Sequence, residues 1–84
     1  MKTKPTDFRD HIASDPGIHH GKPCIKGTRV PVHVVLDALA AGETWEEVME
    51  DYAVTVGDVS ACLAYAARLA NEEILPMQAL VKTE

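Results

Sequence analysis

Three side chains able to bind a metal lie close together in the first third of the chain: His19, His20 and Cys24. A structural zinc site needs four ligands, and adjacent histidines on an irregular backbone point in different directions. The sequence offers no second cluster of cysteine and histidine to complete a set. We therefore expect these histidines to be solvated or hydrogen-bonded to the backbone, and we predict no metal and no cofactor.

The other candidates for chemistry are a second cysteine and a run of carboxylates. Cys62 lies among alanines, where a thiol behaves as a small apolar group, and no cation nearby in sequence would favour its thiolate. The carboxylates of residues 46–51 could suggest a magnesium site, but a solvated helix face is the simpler interpretation. Because no nucleophile–base pair and no phosphate-binding glycine loop is present, we expect no catalytic residues, no small-molecule substrate and no enzyme activity.

The elements that must position these residues change character at Pro31. Residues 11–31 are rich in glycine and proline and contain short apolar pieces, which predicts a hairpin-like β element. Beyond Pro31, apolar residues recur at helical spacing, and capping residues divide the chain into three segments. The predicted helices are Val32–Ala41, Trp45–Asp51 and Val56–Glu73, with the turn between the last two at residues 52–54.

Three helices with short connections, the second short and the third long, predict a mainly α fold. We expect a homeodomain-like three-helix bundle of the helix-turn-helix type, preceded by the short N-terminal hairpin-like element. The domain should span residues 11–73, between an N-terminal tail (1–10) and a C-terminal tail (74–84). Its predicted core consists of Leu36, Leu39, Trp45, Val48, Met49, Tyr52, Val59, Leu63 and Ala66.

Charge is unevenly distributed along the chain. Residues 1–33 carry six Lys or Arg and three Asp, whereas residues 34–84 carry two basic and ten acidic side chains. This asymmetry suggests two surfaces with different partners, and an ordinary solvated acidic face is the alternative. Since no apolar stretch reaches the length of a membrane span or resembles a signal segment, we expect a cytoplasmic protein with free thiols and no membrane partner.

A longer motif covers the glycine- and proline-rich region, and it reads DPGIHHGKPCIKGTRVPV over residues 15–32. Together with residues 39–44, 50–52 and 61–67, it resembles the small prokaryotic proteins catalogued as domain of unknown function 433, over roughly residues 11–73. That resemblance implies a helix-turn-helix protein similar to VapB-type antitoxins, which are often encoded beside a PIN-like nuclease toxin. It brings no catalytic residues with it.

The resemblance therefore implies an antitoxin of a type II toxin–antitoxin pair, which neutralises a PIN-like ribonuclease toxin and represses its own operator. Two alternatives remain, in this order: a stand-alone helix-turn-helix regulator or adaptor without a toxin, and a small hydrolase. Helix-turn-helix proteins commonly pair to match two DNA half-sites, so we also expect a homodimer.

DNA contact should depend mainly on the basic first third of the chain. The start of the third helix would enter the major groove, yet it offers no Arg, Lys, Asn or Gln to pair with base edges. The predicted DNA-binding residues are Lys22, Lys26, Arg29, His33, Thr55 and Ser60. For Arg29 a structural role is the alternative, in which its guanidinium ties the hairpin-like element to an acidic helix end such as Asp51.

The C-terminal tail is apolar, yet a single small domain leaves little apolar surface on which such a tail could be buried. We expect this tail to bind the toxin, with neighbouring glutamates supplying complementary charge. The predicted anchors are Ile74, Leu75, Met77, Leu80 and Val81. The alternative is that the tail packs on its own domain or on a second copy of the chain.

Overall fold

A computed structural model of the chain describes residues 7–72 and Ile74. In chain order the elements are a 3-10 helix (Phe8–Asp10), β1 (Ile12–Ala13), a second 3-10 helix (His19–Gly21), β2 (Cys24–Ile25), α1 (Val32–Ala40), α2 (Trp45–Tyr52) and α3 (Val56–Glu72). The described part is mainly helical, with three α-helices and one antiparallel pair of strands near its N-terminal end. The predicted fold class is confirmed at this level, and the helix boundaries agree to within one residue.

The first helix is delimited by a proline and a glycine. Pro31 caps α1 in an extended conformation, and the amide of Val32 donates to the carbonyl of Pro23 at 2.9 Å, which holds the helix start against the loop before β2. At the other end Gly42 adopts a φ of +100°, a left-handed conformation that glycine reaches without steric cost. This turn reverses the chain into α2.

Reciprocal capping bonds open the second and third helices. Thr44 Oγ1 accepts from the amide of Glu47 at 3.1 Å, and Glu47 Oε1 accepts from the amide of Thr44 at 2.8 Å. Thr55 and Asp58 repeat this exchange at 3.1 and 3.0 Å. Between α2 and α3 the chain turns at Ala53, which is left-handed (φ 56°, ψ 46°), and the two helix axes differ in direction by 109°.

The two strands form a small sheet rather than a tight hairpin. Ile12 pairs with Ile25 and Ala13 with Cys24, and the connection between the strands includes the second 3-10 helix. Three consecutive residues there, His19, His20 and Gly21, have positive φ angles of 50°, 58° and 86°. The ring Nε2 of His19 lies 2.9 Å from the carbonyl oxygen of Arg29, so the connection is fastened to the segment leading into α1.

The core differs from the predicted one because the sheet contributes to it. The buried cluster comprises Ile12, Ile25, Val32, Val35, Ala38, Val48, Val54, Val59, Ala61 and Cys62. Of the nine predicted core residues, Val48 and Val59 are fully buried, whereas Leu36, Leu39, Met49, Tyr52 and Ala66 are partly buried. Assigning Trp45 and Leu63 to the core was wrong, since they are 36% and 38% exposed. Because α3 packs on β1 as well as on α1 and α2, it directs the small residues Ala61 and Cys62 inward.

Two contacts attach the N-terminal segment to α3. The ring of Phe8 meets that of Tyr65 edge to face, with centroids 5.3 Å apart. His11 Nδ1 lies 2.9 Å from Asp58 Oδ1. Residues 8–10, which the sequence analysis placed in the N-terminal tail, therefore pack against the folded body. Within the described residues no single helix is long and apolar enough to span a membrane; only α2 and α3 taken together, across their bend, reach that length and composition.

Candidate functional site

An apolar groove bordered by Lys22 and His33 lies where the start of α1 meets the second half of α3. It has a volume of about 250 Å³ and is lined by Lys22, Pro23, Val32, His33, Leu36, Tyr65 and Leu69. The hydrogen bond from Val32 to Pro23 fixes the two sides of the groove relative to each other. The structure thus brings together Lys22 and His33, two of the predicted DNA-binding residues. Nδ1 of His33 also lies 3.4 Å from Asp37 Oδ2, one turn along α1.

Lys26 belongs to a different depression on the surface. That pocket, of about 180 Å³, lies between the strand connection and the turn after β2. It is lined by Ala13, Ser14, Asp15, Ile18, Cys24, Ile25, Lys26, Gly27 and Thr28. The amide of Lys26 donates to the carbonyl of His11 at 2.7 Å, so its backbone is held by the sheet while its side chain is exposed. The predicted cationic set is therefore divided between two depressions.

Arg29 is exposed, and its backbone carbonyl is the one that accepts from His19. Among the described residues, no carboxylate lies within 4.0 Å of the Arg29 guanidinium. The tie to Asp51, which was the structural alternative for this residue, is therefore not formed. His19 does bond to the backbone, as the sequence analysis expected for the histidines of this segment.

The start of α3 is occupied by its own capping bonds. Thr55 is exposed, but its hydroxyl already accepts the amide of Asp58, and Ser60 is half-buried. The Asp58 carboxylate accepts from the Thr55 amide and lies beside the His11 ring. Burial alone would raise the pKa of Asp58, but the hydrogen bonds from the Thr55 backbone and from His11 outweigh it and lower that pKa from its ordinary value of 3.8. A carboxylate that stays ionised at this helix start would repel a phosphate.

The pairing of His11 with Asp58 is the contact that sequence reasoning missed. The two residues are separated by 47 positions, and neither lies in a motif that signals the other. Only the packing of β1 and the first 3-10 helix against α3 places them together. The groove residues Tyr65 and Leu69, which the helical spacing of α3 did not single out, are placed by the packing of α3 on α1.

The predicted acidic face is present on α2. Glu46, Glu47, Glu50 and Asp51 are all exposed, and the first two occupy the first turn of α2, where the helix dipole favours negative charge. The groove with Lys22 and His33 lies at the N-terminal end of α1, whereas α2 begins just beyond the C-terminal end of α1. The predicted cationic residues and the acidic face of α2 therefore belong to different elements of the fold.

Neither cysteine is placed for chemistry. Cys24 and Cys62 are both buried and unbonded to each other, at 6% and 0% exposure. Burial, with a smaller contribution from the negative charge of Asp58, raises the pKa of the Cys62 thiol to about 11, so it stays protonated at neutral pH. Within residues 7–72, no three His, Cys, Asp or Glu side chains converge as a metal site would require.

The predicted toxin-binding tail falls mostly beyond what the structure describes. Ile74 is 89% exposed immediately past the end of α3. Leu75, Met77, Leu80 and Val81 lie outside the described residues. The tail therefore stays a prediction, with Ile74 as its one described member.

Taken together, fold and surface define a small, mainly helical domain with a two-stranded sheet, an apolar groove bordered by Lys22, and an acidic face on α2. The chain belongs to the family described as protein of unknown function (DUF433), whose model matches residues 12–66. This match confirms the family resemblance seen in the sequence. No curated protein and no solved structure matches the chain.

Proposed function

We propose that this chain is a macromolecule-binding protein: an antitoxin that neutralises a PIN-like ribonuclease toxin and binds its own operator DNA. The observation that supports this most directly is that basic and acidic side chains are exposed on different elements of the fold. Lys22, Lys26 and Arg29 lie in the segment before α1, whereas Glu46, Glu47, Glu50 and Asp51 are exposed on α2. A protein with two such surfaces can engage a polyanion and a basic protein at the same time.

The arrangement of α2 and α3 favours a helix-turn-helix interpretation. Such motifs join two helices at about 90–120° through a turn of three to four residues. Here the axes differ by 109°, and the connection is residues 53–55. In this proposal α1 packs against both α2 and α3, as the first helix of a tri-helical DNA-binding domain does.

The same structure argues for an unusual mode of DNA contact. The base-reading end of α3 offers the half-buried Ser60 and a Thr55 whose hydroxyl accepts a capping bond, beside the ionised Asp58. Phosphate contact instead suits Lys22, Lys26 and Arg29, whose charged groups have no carboxylate within 4.0 Å among the described residues. We therefore propose binding that is strongly dependent on salt and only weakly dependent on sequence.

The DNA part of the proposal is tested by titrating the protein with a duplex taken from upstream of its own gene. Lys26→Ala combined with Arg29→Ala should weaken binding and lower the salt dependence by about two counterions. Arg68→Ala is the matched control, because Arg68 is paired with Glu72 on α3, with 2.7 Å between Nε and Oε2, and should change little. Full affinity in the double variant would refute this placement of the DNA.

The toxin part is tested by co-expressing the chain with the product of a neighbouring PIN-like reading frame. We expect the two to purify together and the ribonuclease to be inhibited, and Ile74→Glu to weaken capture. Exchanging Glu46 and Glu50 for Gln should also weaken capture if a basic toxin surface meets α2. Operator binding without any toxin capture would favour the second candidate, a stand-alone regulator, which the 109° helix pair supports equally well.

A further inference from the structure

An uncharged stripe runs along the exposed side of α3, beside the buried face of that helix. Its residues follow one another at intervals of four and three positions in turn, and Ile74 continues these intervals just past the helix. The members on the helix are Val56, Ser60, Leu63, Ala67 and Ala70. Val56 is 58% exposed, Leu63 38% and Ile74 89%. Residues at this spacing lie on one face of a helix, which is the pattern of a seam between two packed helices.

The domain itself covers this stripe only in part, since Ser60 is half-buried and Leu63 is 38% exposed. Its buried contacts come from Val59, Ala61 and Cys62, and Leu63 projects roughly 100° away from Cys62 around the helix axis. The core that those residues join is built of small side chains, since the largest fully buried ones are Ile25, Val35, Val48, Val59 and Cys62. A short chain with so little large apolar bulk inside gains stability from burial against another molecule.

The charges of α3 indicate which molecule that is. Its three charged residues are already paired: Asp58 with His11, and Arg68 with Glu72 at 2.7 Å. The stripe therefore has no charge to attract a phosphate or a basic toxin, in contrast to the exposed lysines and to α2. It matches a surface that is equally uncharged and apolar, and the same stripe on a second copy meets both requirements.

We propose that this stripe is the seam of a homodimer in which two α3 helices pack antiparallel across a two-fold axis. With Leu63 set against Ala67 of the second copy, Ser60 faces Ala70 and Val56 faces Ile74. The central layers then place a large residue against a small one, or two small residues together, which lets the helices approach closely and interdigitate. The seam needs neither toxin nor operator, so the mass of the isolated chain tests it, and Ile74 is the one residue that it shares with the toxin contact proposed above.

The seam also has a consequence for DNA binding. A helix whose exposed face is covered by its symmetry mate is not available to lie in a major groove. The homodimer would therefore present the cationic residues of the two N-terminal regions, and not α3, to a duplex.

The test is the mass in solution of the full chain, measured by light scattering over a dilution series. We expect twice the 9.1 kDa chain mass for the wild type. Ala67→Lys places a charge in the centre of the seam and should weaken the dimer at least about tenfold in Kd. Ala40→Lys is the matched control, since Ala40 is an exposed alanine at the end of α1, and should leave the mass unchanged.

Circular dichroism shows whether each variant is folded. If Ala67→Lys is unfolded, Ala70→Lys takes its place in the light-scattering measurement. A monomeric wild type overturns the proposal, even if Ala67→Lys abolishes toxin capture, because the stripe would then be a toxin surface. A dimer that survives both lysine variants also overturns it, because the contact must then lie elsewhere. The register is tested by crosslinking a Leu63→Cys chain with an Ala67→Cys chain. This mixture should crosslink more strongly than either variant alone, which would establish the antiparallel register.

Discussion

Replacing Asp58, whose side chain is 17% exposed, with alanine should destabilise the domain. The carboxylate makes two separate contacts, one with the Thr55 amide at 3.0 Å and one with the His11 ring at 2.9 Å. The capping bond contributes about 1 kcal/mol. A hydrogen bond to a charged group contributes about 1.5–3 kcal/mol when shielded, and less here because the His11 side chain is 34% exposed. We therefore expect a total loss of about 2 kcal/mol.

Urea denaturation followed by Trp45 fluorescence, at one protein concentration, measures this loss. A double-mutant cycle with His11→Ala separates the two contacts, because the part shared with His11 should appear as a coupling energy of about 1 kcal/mol. Asp58→Asn keeps an acceptor for the Thr55 amide and should lose mainly the His11 part. If the losses for His11→Ala and Asp58→Ala simply add, the contact between His11 and Asp58 does not stabilise the fold.

The pH dependence has a definite sign. Because the folded state lowers the pKa of Asp58 below 3.8, its ionised form stabilises the fold fully above about pH 3.8. That contribution is lost as the pH falls from there through the folded pKa. The free energy of unfolding should therefore decline more steeply below pH 3.8 in the wild type than in Asp58→Asn. Equal slopes would contradict the lowered pKa.

Three further substitutions test the packing, each by the same denaturation measurement. Gly57→Ala should destabilise the wild type, because the new Cβ would lie 3.1 Å from Cε1 of the His11 ring. In a His11→Ala background that ring is gone, so the better helix propensity of alanine should stabilise the protein by up to about 1 kcal/mol. Val59→Ala should lower the free energy of unfolding by about 2 kcal/mol, which is more than Leu63→Ala should, because Val59 is fully buried and Leu63 is 38% exposed. A larger loss for Leu63→Ala would support the original assignment of Leu63 to the core. Ala53→Gly should stabilise by about 0.5–1 kcal/mol by relieving the left-handed φ of 56°, and a loss would show that the turn is not strained.

The helices could be predicted because their signals are local. Pro31 and Gly42 bound α1, and the reciprocal caps at Thr44 and Thr55 mark where α2 and α3 begin. Each signal acts within one turn of the backbone, so it can be found without knowledge of the fold. Helical spacing also identified the buried positions Val48 and Val59.

The core and the candidate surfaces depend on contacts that no local signal encodes. Ile12 and Ile25 enter the core from strands of two residues each, too short to show an alternating pattern. Helical spacing gives a face but not its exact centre, so Leu63 was placed inside although α3 leans on the sheet and turns Cys62 inward. The division of Lys22 and Lys26 between two depressions likewise follows from the path of the strand connection.

The three consecutive residues with positive φ, His19, His20 and Gly21, affect how much conformational entropy the chain would lose when it binds a partner. The hydrogen bond between the His19 ring and the carbonyl of Arg29, 2.9 Å long, closes the nine intervening residues into a ring. Lys22 and Lys26 lie inside that ring, so their backbones are set before any ligand arrives. Association then orders side chains with little further ordering of the backbone, which lowers its entropic cost and lets this surface bind without folding around its target.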